Sequence, residues 1–126
     1  MATVTSGDTE RENQMTEPEG YIPTLAADAV PDGGLVQIEV DGEPRLLVKV
    51  NGRIYCVYAI CTHEEADLAD GDLEDTTIYC PLHGSGFDLE TGAVRSLPAT
   101  HPLPVYDVQI LDGTIYVSRD PKYHFS

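Results

Sequence analysis

Two short strings hold the side chains best suited to chemistry in this 126-residue sequence: Cys61-Thr62-His63 and Cys80-Pro81-Leu82-His83-Gly84. Each offers one thiolate and one imidazole, so the pair supplies four soft or borderline ligands in two matching arms with sixteen residues between them. Such a set is what a metal centre needs. In the usual zinc finger both cysteines share one arm and both histidines the other. Here each arm is mixed, which suits a dinuclear centre with unlike irons: two thiolates on one, two imidazoles on the other. A Cys2His2 zinc site stabilising a small interaction module is the alternative.

The other candidates have plainer readings. Cys56 falls in an alternating apolar segment and reads as a buried thiol packing like a small hydrophobe. With three cysteines in all and no secretory signal, a disulfide framework is not expected. His101 precedes Pro102 and reads as a loop residue, and His124 as an exposed one near the C-terminus. Tyr55, Tyr79, Tyr106 and Tyr116 fall in strand-like runs and read as framework.

The elements that must position the two arms are strands. Leu35–Val40, Leu46–Val50 and Arg53–Tyr58 are β-branched runs separated by Asp41-Gly42-Glu43-Pro44 and Asn51-Gly52, and Asn-Gly between such runs predicts a hairpin. Val105–Ile110, then Asp112-Gly113 and Thr114–Ser118 repeat the pattern. Residues 60–104 carry the arms, short strand candidates at 77–79 and 87–89, and Pro98, Pro102 and Pro104. No stretch shows a capped 3.6-residue period; 26–30 and 64–68 offer a helical turn at most. The expectation is an all-β fold with a loop-rich insert at about 60–104. The polar, acidic residues 1–20 are expected to form a flexible tail. Residues 21–120 are the expected domain, and 121–126 a C-terminal tail.

Charge narrows the function. Twenty-two acids against seven Lys and Arg give −15, with a pI near 4.2. Nucleic-acid binding and attachment to an anionic membrane both depend on basic side chains, so both are excluded, leaving basic protein surfaces as partners. Between Arg53 and Arg95 there is no Lys or Arg but nine acids, seven of them between the two arms. A patch of that kind disfavours addition of an electron and steers a basic partner inward. Adaptation to a saline habitat explains the same composition. No apolar run approaches the ~20 residues of a membrane helix, and a cytoplasmic location is expected.

The string Cys61-Thr-His63 … Cys80-Pro-Leu-His83-Gly-Ser-Gly-Phe87-Asp88, followed by Thr91-Gly92 and a proline-bearing segment, resembles the Rieske ferredoxins, small electron carriers of bacterial multicomponent oxygenase systems. The likeness covers about residues 21–118. It implies two β layers, a sandwich or barrel, plus a small inserted cluster-binding subdomain. It implies a 2Fe-2S cluster with Cys61 and Cys80 on the inner iron and His63 and His83 on the outer, near the surface. It also implies a monomeric one-electron carrier between a reductase and a terminal oxygenase, catalysing nothing itself. A small subunit of a nitrite-reductase-like enzyme is the runner-up.

Departures from the respiratory Rieske proteins bear on the potential. The positions of their loop-bridging cysteines are Ala66 and Leu82 here, and Phe87 stands where they carry a Tyr hydroxyl. Fewer hydrogen bonds to sulfur imply a potential low in the Rieske range of about −150 to +300 mV. Ser85 works in the opposite direction.

Overall fold

The computed structural model of the chain describes residues 19–62, 66–82, 84–97 and 101–122. Eleven strands run in order: β1 (Tyr21–Ala26), β2 (Leu35–Val40), β3 (Glu43–Val50), β4 (Arg53–Tyr58), β5 (Asp72–Glu74), β6 (Thr77–Tyr79), β7 (Gly86–Asp88), β8 (Val94–Ser96), β9 (Val105–Tyr106), β10 (Val108–Leu111) and β11 (Thr114–Ser118). Single 3-10 turns at Ala27–Ala29 and Leu68–Asp70 are the only helical elements among the described residues. No described helix is long and apolar enough to cross a membrane.

Hairpin chemistry sets the framework. Asp41-Gly42, Asn51-Gly52 and Asp112-Gly113 each hold two successive positive φ angles, from 51° to 82°. That is the backbone of the two-residue turn whose twist matches the flanking strands. The first turn is shorter than the four residues expected: β3 begins at Glu43, and Pro44 pairs with Glu39 inside the ladder. That pair lies one residue beyond the turn-closing Val40–Glu43 pair, where antiparallel neighbours exchange no N–H···O bond. The missing proline N–H is therefore not needed by β2.

Three antiparallel sheets result, ordered β1-β11-β10, β2-β3-β4-β9 and β5-β6-β7-β8. The second sheet is central and buried on both faces. Toward the β1-β11-β10 sheet it presents Leu47, Ile54, Cys56 and Tyr106 against Ile115 and Val117. On its other face Leu46, Val48, Val57 and Val105 pack with Leu68, Ile78, Phe87, Leu89 and Leu103 of the insert. The two-layer sandwich and its insert are both present, with the insert capping the sandwich as a third layer.

One run expected as a single strand is divided. Val105–Tyr106 pairs with β4 and Val108–Leu111 with β11, so the chain changes sheet at Asp107. The Asp107 N–H donates to Ser118 Oγ (3.1 Å), its carbonyl accepts from Ser118 N–H (3.0 Å), and its carboxylate accepts from the Tyr21 hydroxyl. The same edge joins the two ends of the fold: Tyr21 pairs with Ser118, and Arg119 N–H donates to Gly20 O at 2.9 Å.

A buried cation fastens the end of β11. Arg45 is 1% exposed, donates to the carbonyls of Ser118 (2.6 Å) and Arg119 (2.7 Å), and lies 3.6 Å from the Tyr106 ring centroid. These partners compensate much of the desolvation that burial imposes on the guanidinium.

Candidate metal centre

Each ligand arm is a loop closed at its base in the same way. Beyond β4 the chain is held by Ala59 N–H on Pro44 O (3.1 Å) and by an Ile60–Asp67 bridge. Cys61 N–H then donates to Ala66 O at 3.0 Å. In the second arm, which leaves β6, Cys80 N–H donates to Ser85 O at 2.7 Å, and Gly84 N–H donates back to Cys80 O at 3.1 Å. In both arms the cysteine N–H reaches the carbonyl five residues on, so each cysteine sits at a loop base.

Both thiols are buried, Cys61 5% and Cys80 3% exposed, in one apolar cluster with Leu68, Ile78, Phe87 and Leu103. The tip of the second arm faces outward, Pro81 and Leu82 both being exposed. His63 and His83 lie outside the described residues. Among the described residues there is accordingly no group of three or more His, Cys, Asp or Glu able to hold a metal. Two cysteines, neither in a disulfide, brought into one water-poor cluster from separate loops fit the thiolate half of a mixed Cys/His cluster.

Cys56 belongs elsewhere. It lies on the opposite face of the central sheet, 1% exposed. Burial pushes its thiol up to about 12, against the opposing pull of the Arg45 guanidinium. It is a protonated core thiol, as its alternating context suggested.

Around the arms, Thr62 and Ser96 hold positions to which the sequence reading gave no role, beside residues that it did name. Thr62 Oγ1 donates to His101 O at 2.8 Å, tying the first arm to the segment that precedes Pro102. Ser96 Oγ donates to Gly84 O at 2.9 Å, tying β8 to the second arm. Asp88, 5% exposed, closes the turn after β7 by accepting from Glu90 N–H (3.1 Å), Thr91 N–H (2.9 Å), Thr91 Oγ1 (3.0 Å) and Arg95 (3.0 Å). Burial works to raise the Asp88 carboxyl, but the Arg95 hydrogen bond and then those of Thr91 outweigh it, and it lies below its ordinary value. Gly92, in the same turn, accepts from Leu103 N–H at 2.8 Å. Ser85 and Phe87 are fully buried beside the second arm.

The acidic run divides by role. Asp88 and Glu90 are engaged by Arg95, Arg53 and Lys122. Asp67, Asp70, Asp72, Glu74 and Asp75 are exposed, with no cation partner among the described residues. Asp72 and Glu74 line a groove that runs past Leu73 and Tyr79 to Cys80, Pro81 and Gly84.

Residues 20–107 match the Rieske [2Fe-2S] domain. The chain belongs to the Rieske family. It is similar to the ferredoxin component of naphthalene 1,2-dioxygenase/salicylate 5-hydroxylase systems of Ralstonia sp, 37% identical over 92 residues, covering 73% of this chain and 88% of that one. The 3-phenylpropionate/cinnamic acid dioxygenase ferredoxin subunit of Photorhabdus laumondii is 40% identical over 90 residues, covering 71% and 85%. Among solved structures, a chain from a complex of reduced oxygenase and oxidized ferredoxin in carbazole 1,9a-dioxygenase superposes with a TM-score of 0.79 at 30% identity, covering 85% of this chain and all of that one. The cofactor of this Rieske protein is a 2Fe-2S cluster of the Rieske type. Its role is that of an electron carrier in an oxygenase system, not of a catalyst in its own right.

Proposed function

We propose that Cys61 and Cys80 hold one iron of the cluster and His63 and His83 the other, and that the protein carries electrons singly from a reductase to a terminal oxygenase. The observation that carries this reading is the twin loop closure, Cys61 to Ala66 and Cys80 to Ser85, which sets both thiols in one apolar cluster. When bound, the cluster takes up and releases one electron at a time. The residues around it do the rest: Leu68, Ile78, Phe87 and Leu103 exclude water from the thiolate side, while the outward second tip gives a partner access to the imidazole side.

The partners follow from charge. Five exposed acids lie on the segment between the arms, and two of them line the groove that reaches Cys80. Basic surfaces on the reductase and on the oxygenase, docking in turn, are the complements of this face. The relatives named as ferredoxin components of naphthalene and phenylpropionate dioxygenase systems supply the class of acceptor. The working unit is residues 21–120, with 60–104 as the cluster-binding insert and tails at 1–20 and 121–126, acting as a monomer in the cytoplasm.

The test is electron paramagnetic resonance of the dithionite-reduced protein, with iron and zinc assayed on the same sample. The expected result is two irons per chain and the low average g-value of a mixed Cys/His cluster, lost in Cys80→Ser and in His83→Ala. A silent sample carrying one zinc would overturn the reading.

A further inference from the structure

We infer that Ser96 is a positioning residue for the second ligand arm, delivered to it by a β-bulge. The inference rests on the assignment of Cys80 and His83 as ligands and goes beyond it. Between β7 and β8 the register slips: Phe87 pairs with Val94, but Gly86 pairs with Ser96, leaving Arg95 as an extra residue on β8. An inserted residue of this kind re-aims its neighbours. Arg95 turns to the Asp88 carboxylate (3.0 Å), and Ser96 moves into line with Gly86. Its hydroxyl then passes over Gly86 to the Gly84 carbonyl at 2.9 Å.

Gly86 leaves the room for this reach. A Cβ at Gly86 would stand 3.0 Å from Ser96 Oγ and 2.7 Å from Tyr79 Cε1. The accepting carbonyl belongs to Gly84, the residue after His83, and lies within the Cys80–Ser85 loop, so holding it restrains the chain that carries the imidazole. Groups that orient ligands without touching the metal govern how tightly it is held. In this chain the two arms have no covalent bridge, because Ala66 and Leu82 occupy the positions where one would form. Three described residues supply non-covalent ties instead: Ser96 holds the second arm, the His101 carbonyl takes the Thr62 hydroxyl of the first, and Leu103 is anchored on Gly92. An arm held in this way keeps its shape while the charge of the cluster changes.

The experiment compares wild-type, Ser96→Ala and Ser96→Thr holoprotein. Three readouts are taken: the rate of iron loss to a chelator, the line shape of the reduced electron paramagnetic resonance signal, and the far-ultraviolet circular dichroism. The expected result for Ser96→Ala is iron loss about two- to fivefold faster, the range for losing one modest hydrogen bond, with a broadened signal and an unchanged β spectrum. Ser96→Thr, which keeps the hydroxyl, restores both. Iron loss and line shape in Ser96→Ala identical to wild type would overturn the positioning role, as would Ser96→Thr behaving like Ser96→Ala. A wild-type protein with no mixed-ligand signal would overturn the ligand assignment and this inference together.

Discussion

Three buried thiols of similar exposure have different prospects, because each faces a different environment. Cys61 and Cys80 share a cluster at two loop bases, whereas Cys56 sits across the central sheet beside Arg45 and Tyr106. Cys56→Ala is therefore expected to keep the full cluster spectrum and lose about 1 kcal/mol of stability in a urea titration, the order expected for a small cavity. The same environment makes the protein alkali-sensitive. Burial holds the Cys56 thiol at about 12 against an ordinary 9.0, and raises Tyr106 to about 12 from 10.0. The folded chain thus keeps protons that the unfolded chain releases. The stabilisation is complete below pH 9 and is lost as pH rises toward 12, by at most about 1.4 kcal/mol per pH unit for each group. Urea midpoints across pH 8 to 11 should fall from pH 9 in the wild type. In Cys56→Ala the fall should begin nearer pH 10, where Tyr106 and Tyr21, the latter raised by its hydrogen bond to Asp107, remain.

At the scale of elements, the turn after β7 is the joint between the second arm and the segment leading to β9. Gly92 has φ +78°, and a Cβ there would come within 1.9 Å of the Leu103 carbonyl, a backbone atom that cannot step aside cheaply. Gly92→Ala is expected to lower stability by at least about 2 kcal/mol and to speed iron loss to a chelator. Retention of wild-type values in both would show that the turn does not govern the arm. Much of the framework was legible in the sequence: the Asn-Gly and Asp-Gly turns carry their backbone conformation in their residue types, and the two mixed arms announce a metal. The short strands β5 and β8 were not legible, since Asp72-Leu73-Glu74 and Val94-Arg95-Ser96 each hold a single apolar residue, whereas the equally short β6 is Thr77-Ile78-Tyr79, strand formers throughout. Nor was the break at Asp107, where alternation continues unbroken although the chain changes sheet. Thr62 and Ser96 escaped for a related reason: their partners, His101 and Gly84, are 39 and 12 residues away in sequence, and only strand pairing brings them together. Arg45, buried between sheets, shows no sign in the sequence that its strand end would find two carbonyls.

For the whole molecule, charge is the property that decides how it meets others. At −15 with exposed acids along the segment between the arms, association with a basic partner should be fast at low ionic strength and slow as salt rises. Stopped-flow reduction by a cognate reductase is expected to slow by about tenfold or more between 10 and 300 mM salt. A rate indifferent to salt would assign the acidity to habitat instead. The pairing of Tyr21 with Ser118, sealed by Arg119 on Gly20, has a different kind of consequence. The folded unit enters and leaves through adjacent points at one end of one sheet, like a plug with both leads on one side. It can therefore be spliced whole into a surface loop of another protein, or have these ends joined and new ones opened at the Asn51-Gly52 turn, with every strand pair retained.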